Sequence, residues 1–256
     1  MESTSFPMRA VLAGLMSPDP MERRRVLHEL PATTSHTTLR AVAHCLGDRA
    51  PSVCEAAGDA LVRSGAAAVP FAIERLEAAE PRERGYALQS LVRLGAAAVP
   101  SCVELLQHPS RDLRNYAATI LASSRSVDAL RALEAAIFDD DPTVASVVAE
   151  SLGTVGSPEA VPVLDAALQH SSEWVRIAAL SALGQIGGAA ALEILRRAAA
   201  SLDGATLAVA VSAIARASEA DPSAAAEALA PLVGTVDDVT STLALVSLGR
   251  LGAGES

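Results

Sequence analysis

Apolar residues recur along this chain at helical spacing, in short stretches separated by polar turns. Val161, Val163, Leu164, Ala167 and Leu168 fall on one face of a predicted helix. After a turn, the run from Val175 to Gly184 carries a second stripe of the same period and closes on Gly187. Glycine at such a place suits a left-handed C-terminal cap, and proline at Pro142 suits the first turn of a helix. The pattern therefore predicts paired short helices. Neither member of a pair is long enough to bury its own apolar face, so the pairs must stack.

The punctuation repeats. Asp141-Pro142-Thr143-Val144 leads to Leu152-Gly153 and Gly156, and Ser172-Glu173-Trp174-Val175 leads to Leu183-Gly184 and Gly187. Ala50-Pro51-Ser52-Val53 leads to Leu61 and Gly65, and Glu80-Pro81 leads to Leu91 and Gly95. Weaker copies begin at Asp19-Pro20, Ser110-Arg111, Asp203-Gly204 and Asp237-Asp238. Anchors at 20, 51, 81, 111, 142, 173, 204 and 238 are spaced 31, 30, 30, 31, 31, 31 and 34 residues apart. A fixed period of this length marks a repeat architecture.

These residues resemble bacterial HEAT repeats, and more narrowly the short HEAT-like repeats of the phycobilisome lyases. The resemblance implies an all-α fold, an α-solenoid (armadillo-like superhelix) of about eight two-helix repeats of about 31 residues, forming one domain over residues 1–256. For function it implies a non-catalytic scaffold or adaptor in a bacterial regulatory or assembly complex. The alternative it implies is a bilin-lyase-like chaperone subunit acting on a free or protein-bound tetrapyrrole.

Composition narrows the chemistry. All 20 basic residues are arginine. Without lysine there is no Schiff-base nucleophile and no Walker-type phosphate lysine. One Trp, two Tyr and three Phe are too few for base-stacking platforms, and a net charge of −10 disfavours a phosphate-backbone binder. The imbalance is local: residues 1–128 hold 14 arginines and 14 acids, residues 129–256 hold 6 and 16. Cys45, Cys54 and Cys102 stand at no metal-ligand spacing and read as small buried thiols. No secretory leader or membrane-length apolar run is evident, so the expected compartment is the cytoplasm, with neither membrane nor nucleic acid as partner.

Catalytic constellations are missing from the sequence: no catalytic, cofactor-binding or metal-binding residues are expected. His28-Glu29 suggests the His-Glu pairs of an iron-dependent hydroxylase built on similar repeats, but Asp59, Gln89, Thr119 and Glu150 occupy the equivalent positions. One pair cannot hold two irons. Asp139-Asp140-Asp141 lacks the ligand alternation of a calcium loop and is expected to stabilise a helix N-terminus.

In such solenoids the second helices line a concave binding face. Five residues after the anchor stand Tyr86 and Tyr116, in adjacent repeats; twelve after it stand Arg63 and Arg93. Gln89 and Asn115 lie beside them. Tyrosine and arginine dominate interface hot spots, so these six are the expected protein-binding residues; Trp174, at the start of its helix, is a further anchor if exposed and a structural residue if it packs over the preceding turn. Arg23, Arg84, Arg114 and Arg176 share the third position after the anchor, where the resemblance implies a structural ladder of arginines pairing with turn carboxylates. Leu243, Leu245, Val246 and Leu248 leave the last helix apolar, which points to self-association or docking onto another protein through that end.

Overall fold

The computed structural model describes residues 8–252 apart from 33, 79, 218–221 and 234–237. The described residues are all-α, and each repeat anchor opens the second helix of a pair. The chain divides into two compact units, Met1–Ser124 and Arg125–Ser256.

The first unit contains four pairs: α1 (Met8–Leu15) with α2 (Pro20–Glu29), α3 (His36–His44) with α4 (Pro51–Ser64), α5 (Val69–Glu74) with α6 (Pro81–Leu94), and α7 (Val99–Leu105) with α8 (Arg111–Ser124). Each second helix packs on its own first helix and on the next second helix, so α2, α4, α6 and α8 form a continuous ladder. Leu27, Val53, Leu61, Ala87, Leu91, Ala117 and Leu121 are buried within it.

The second unit contains α9 (Val127–Ala136) with α10 (Pro142–Val155), α11 (Val161–Ala167) with α12 (Glu173–Ile186), α13 (Gly188–Ala199) with α14 (Gly204–Ala217), and α15 (Pro222–Leu229) with α16 (Asp238–Gly252). Again the second helices α10, α12, α14 and α16 pack in order. Val144, Val148, Leu152, Val175, Leu183, Leu207 and Ile214 are fully or almost fully buried. The architecture is an all-α solenoid.

Local chemistry sets the boundaries. The Asp141 carboxylate accepts the Thr143 amide at 2.8 Å, and Pro142 occupies the first turn. Asp139 in turn accepts the Asp141 amide at 2.9 Å, so this acidic cluster caps a helix as the sequence indicates. Helices α4, α6, α10 and α12 all end at a glycine of positive φ, fourteen residues after the anchor: Gly65, Gly95, Gly156 and Gly187. After α8 the same position is Arg125, with φ 50°. A side chain there is strained by roughly 1–2 kcal/mol, because Cβ crowds the following carbonyl.

The three thiols are buried and free. Burial pushes Cys45 up to about 11 and Cys102 up to about 12. Among the described residues no helix is long and apolar enough to cross a membrane.

Candidate functional site

The arginines three residues after the anchor build the frame on which the candidate site rests. Arg84 donates to the Ala78 carbonyl at 2.6 Å, Arg114 to that of His108 at 2.9 Å, and Arg176 to that of His170 at 2.9 Å. Arg23 donates to Ser17 in the same way, at 2.7 Å. Each guanidinium thus satisfies a carbonyl left over where the preceding first helix ends. The sequence marked this register as structural. The carbonyl partner could not be read from it, since turn carbonyls exist in every repeat.

Arg23 also forks onto Asp48 of the next repeat, at 2.7 and 2.8 Å, and both side chains are largely buried (15% and 12% exposed). Burial works to raise the Asp48 pKa, but the Arg23 fork, the Ala50 amide and the charges of Arg23 and Arg82 outweigh it. The carboxyl is held below its ordinary range. Arg82 adds a hydrogen bond to the Asp48 carbonyl at 2.7 Å.

On the second-helix face of the first unit, Tyr86 on α6 and Tyr116 on α8 are half-buried at one register of adjacent packed helices. Their rings make no ring contact with each other. Gln89 is exposed one turn along α6 from Tyr86, and Asn115 adjoins Tyr116. Asn115 Oδ1 is buried and accepts no hydrogen bond. A buried acceptor in that state is uncommon enough to need a reason.

The arginines point elsewhere. Arg93 Nη2 lies 2.8 Å from Asp59 Oδ1, joining α6 to α4, and Arg63 Nη2 donates to the Leu27 carbonyl at 2.6 Å, joining α4 to the last turn of α2. Both are exposed, and each bridges to the preceding repeat. The Arg93–Asp59 pair is exposed to 45% and 43%, so it contributes at most about 1 kcal/mol and remains able to exchange partners. The structure thus brings Tyr86, Gln89, Asn115 and Tyr116 onto neighbouring helices and sets Arg63 and Arg93 to bridging the same ladder. Asp59, which stands eight residues after its anchor, is a member of this surface that residue type alone did not single out.

Trp174 belongs to the second unit. It is 74% exposed at the start of α12 and packs over no turn. Further along that unit, α16 buries Thr240, Ala244 and Ser247 while leaving Leu245 and Val246 exposed. Among the described residues no group of three or more His, Cys, Asp or Glu side chains is placed to hold a metal ion.

The fold defines a helical-repeat solenoid, an architecture generally of the protein-binding type. A sequence profile of the HEAT repeats matches residues 69–148 and 132–215, and the chain belongs to that family. No curated protein sequence matches it. Importin beta shares its fold, with a TM-score of 0.52 at 14% identity over 95% of this chain and 41% of that one. The complex of CpcE and CpcF of phycocyanin lyase from a Nostoc species aligns over 98% of both chains at 21% identity, with a TM-score of 0.39. Human deoxyhypusine hydroxylase aligns over 96% of both at 19% identity, with a TM-score of 0.43. Likenesses this loose carry no argument about chemistry.

Proposed function

We propose that this chain is a non-catalytic, cytoplasmic scaffold that binds a protein partner on the second-helix face of its first unit. The observation that carries the reading is the tyrosine pair. Two half-buried phenols at one register of packed helices present rigid amphipathic area with little side-chain entropy to lose on binding. Around them stand the amide side chains Gln89 and Asn115 and the exchangeable Arg93–Asp59 pair. A rotation of the Asn115 side chain would bring its unpartnered oxygen to the surface of α8, where an incoming N–H satisfies it.

Affinity capture from native cells with chemical crosslinking tests this. The reading requires a captured protein whose crosslinks fall on α6 and α8. Crosslinks confined to first helices, or capture undiminished by Tyr86→Ala with Arg93→Glu in a folded chain, would overturn it. Self-association through Leu245 and Val246 is a separate component of the same reading. A sedimentation profile independent of concentration removes that component and leaves the tyrosine surface intact.

A further inference from the structure

A second surface, in the other unit, has chemistry of its own. Ser181 of α12, Ala208, Val209, Ser212, Ala213 and Arg216 of α14, and Leu243 of α16 line a groove of about 290 Å³ across three successive second helices. Its walls are small and apolar except for the two hydroxyls and one guanidinium. Ser212 donates to the Ala208 carbonyl at 3.0 Å, so that hydroxyl is committed to its own helix. Arg216 is exposed and makes no hydrogen bond or ion pair among the described residues.

Arg125 and Arg131 of this unit are likewise exposed without a partner among the described residues, so what distinguishes the chemistry at Arg216 is the small-residue groove that it lines. Residues 125–256 hold 7 arginines against 17 acids, so carboxylates are abundant in this unit. On α13, Arg196 pairs with Glu193 at 2.7 Å, and Arg197 reaches Asp165 of α11. Arg176 caps a turn. Arg216 stands on an apolar groove whose described lining holds no carboxylate. A guanidinium so placed keeps its fork for an oxyanion from outside.

From this we infer that the groove binds an extended peptide segment in which an Asp or Glu side chain is flanked by aliphatic residues. The carboxylate pairs with Arg216, and the aliphatic neighbours lie against Val209, Ala213 and Leu243. An internal acidic side chain fits better than a chain terminus. The lining runs from helix to helix across three repeats, and a chain can pass along it. The site is distinct from the tyrosine surface and does not depend on it.

Trp174 provides a readout. It lies seven residues before Ser181 on α12, on the same helical face and about 10 Å away. It is also the only tryptophan in the chain.

The probe is a fluorescein-labelled nine-residue peptide, blocked at both ends, with a central Glu between Val and Leu residues. A second peptide carries Gln at the centre. A third carries the central Gln and a free C-terminal carboxylate. Anisotropy titrations of the full chain should show the Glu peptide binding at least about fivefold more tightly than either Gln peptide, with a change in Trp174 emission. Arg216→Gln should abolish that preference while the helical circular dichroism is unchanged.

Equal affinity for the Glu and blocked Gln peptides would overturn the proposal. So would a preference that survives Arg216→Gln, or no binding of the Glu peptide up to about 1 mM. Tightest binding of the free-terminus peptide would overturn the assignment to an internal side chain. Tyr86→Ala with Tyr116→Ala should leave these affinities unchanged, so failure here and failure of the tyrosine surface are told apart.

Discussion

The two units are built on one repeat yet hold their second helices together differently. In the first unit, long polar side chains bridge the ladder: Arg63 to the Leu27 carbonyl and Arg93 to Asp59. In the second, the backbones themselves approach. A Cβ built on Gly153 would lie 2.8 Å from Ala182 Cα, and one on Gly184 would lie 2.7 Å from Ala213 Cα. The equivalent register in the first unit, eleven residues after the anchor, is Val62 on α4 and Val92 on α6, with Ala122 on α8. Close packing leaves α12 and α14 a face of small residues, whereas bridging leaves α4, α6 and α8 a face of exchangeable polar and aromatic groups. The difference teaches that one repeat pattern yields two kinds of surface, according to whether glycine or a longer residue holds one register.

The largest effect should come from breaking the close approach. Gly184→Val forces a side chain into the backbone of α14 and should cost about 3 kcal/mol or more. Urea unfolding followed by Trp174 emission measures it. Val92 already occupies that register in the first unit, and Val92→Ala should cost clearly less, about 1 kcal/mol.

Next comes the buried fork. Asp48→Asn leaves the Arg23 guanidinium without its carboxylate in a largely buried site and should cost about 2–3 kcal/mol in denaturant titration. Because the folded-state pKa of Asp48 is depressed, its contribution is present above the ordinary carboxyl value. It is lost as pH falls through the folded value. Wild type should therefore converge on Asp48→Asn in stability as acid is added.

A smaller change sharpens the comparison at its seam. Arg125→Gly removes the side chain from the left-handed conformation that glycine holds at the same position in four other repeats. It should raise stability by about 1 kcal/mol, less whatever backbone entropy glycine adds to the unfolded chain. A fall in melting temperature would contradict that.

The smallest effect lies in alkali and belongs to the first unit alone, which contains all three cysteines. Burial raises the folded-state pKa of Cys45 and Cys102, so their contribution is complete below the ordinary thiol value of 9.0. It is lost as pH rises toward about 11 and about 12. Unfolding midpoints should decline above about pH 9, and thiol reagents should react at the rate of unfolding. Instantaneous labelling of the native chain would contradict the burial.

Much of the frame was legible in the sequence. All eight anchors open second helices, because proline, N-capping acids and terminal glycines act locally and leave local marks. The register of Arg23, Arg84, Arg114 and Arg176 followed from the family resemblance, which implied turn carboxylates as partners; Arg23 meets one in Asp48, and all four donate to turn carbonyls. What the sequence concealed depends on packing between repeats. Arg63 and Arg93 reach back one repeat only because neighbouring helices are offset by the right amount, which periodicity does not encode. Leu152-Gly153 and Leu183-Gly184 were visible as motifs, but their meaning as points of backbone contact required Ala182 and Ala213 opposite them. Trp174 was ambiguous for a similar reason. Whether an aromatic at a helix start covers a turn or faces outward depends on the chain around it.

The most direct test of the central claim is the affinity of the captured partner for Tyr86→Ala/Tyr116→Ala, measured against wild type by calorimetry. Loss of two central tyrosine anchors should weaken binding about thirtyfold or more, corresponding to about 2 kcal/mol. An affinity within about twofold of wild type, in a chain with unchanged helicity, would contradict the assignment of the first unit's second-helix face as the binding surface.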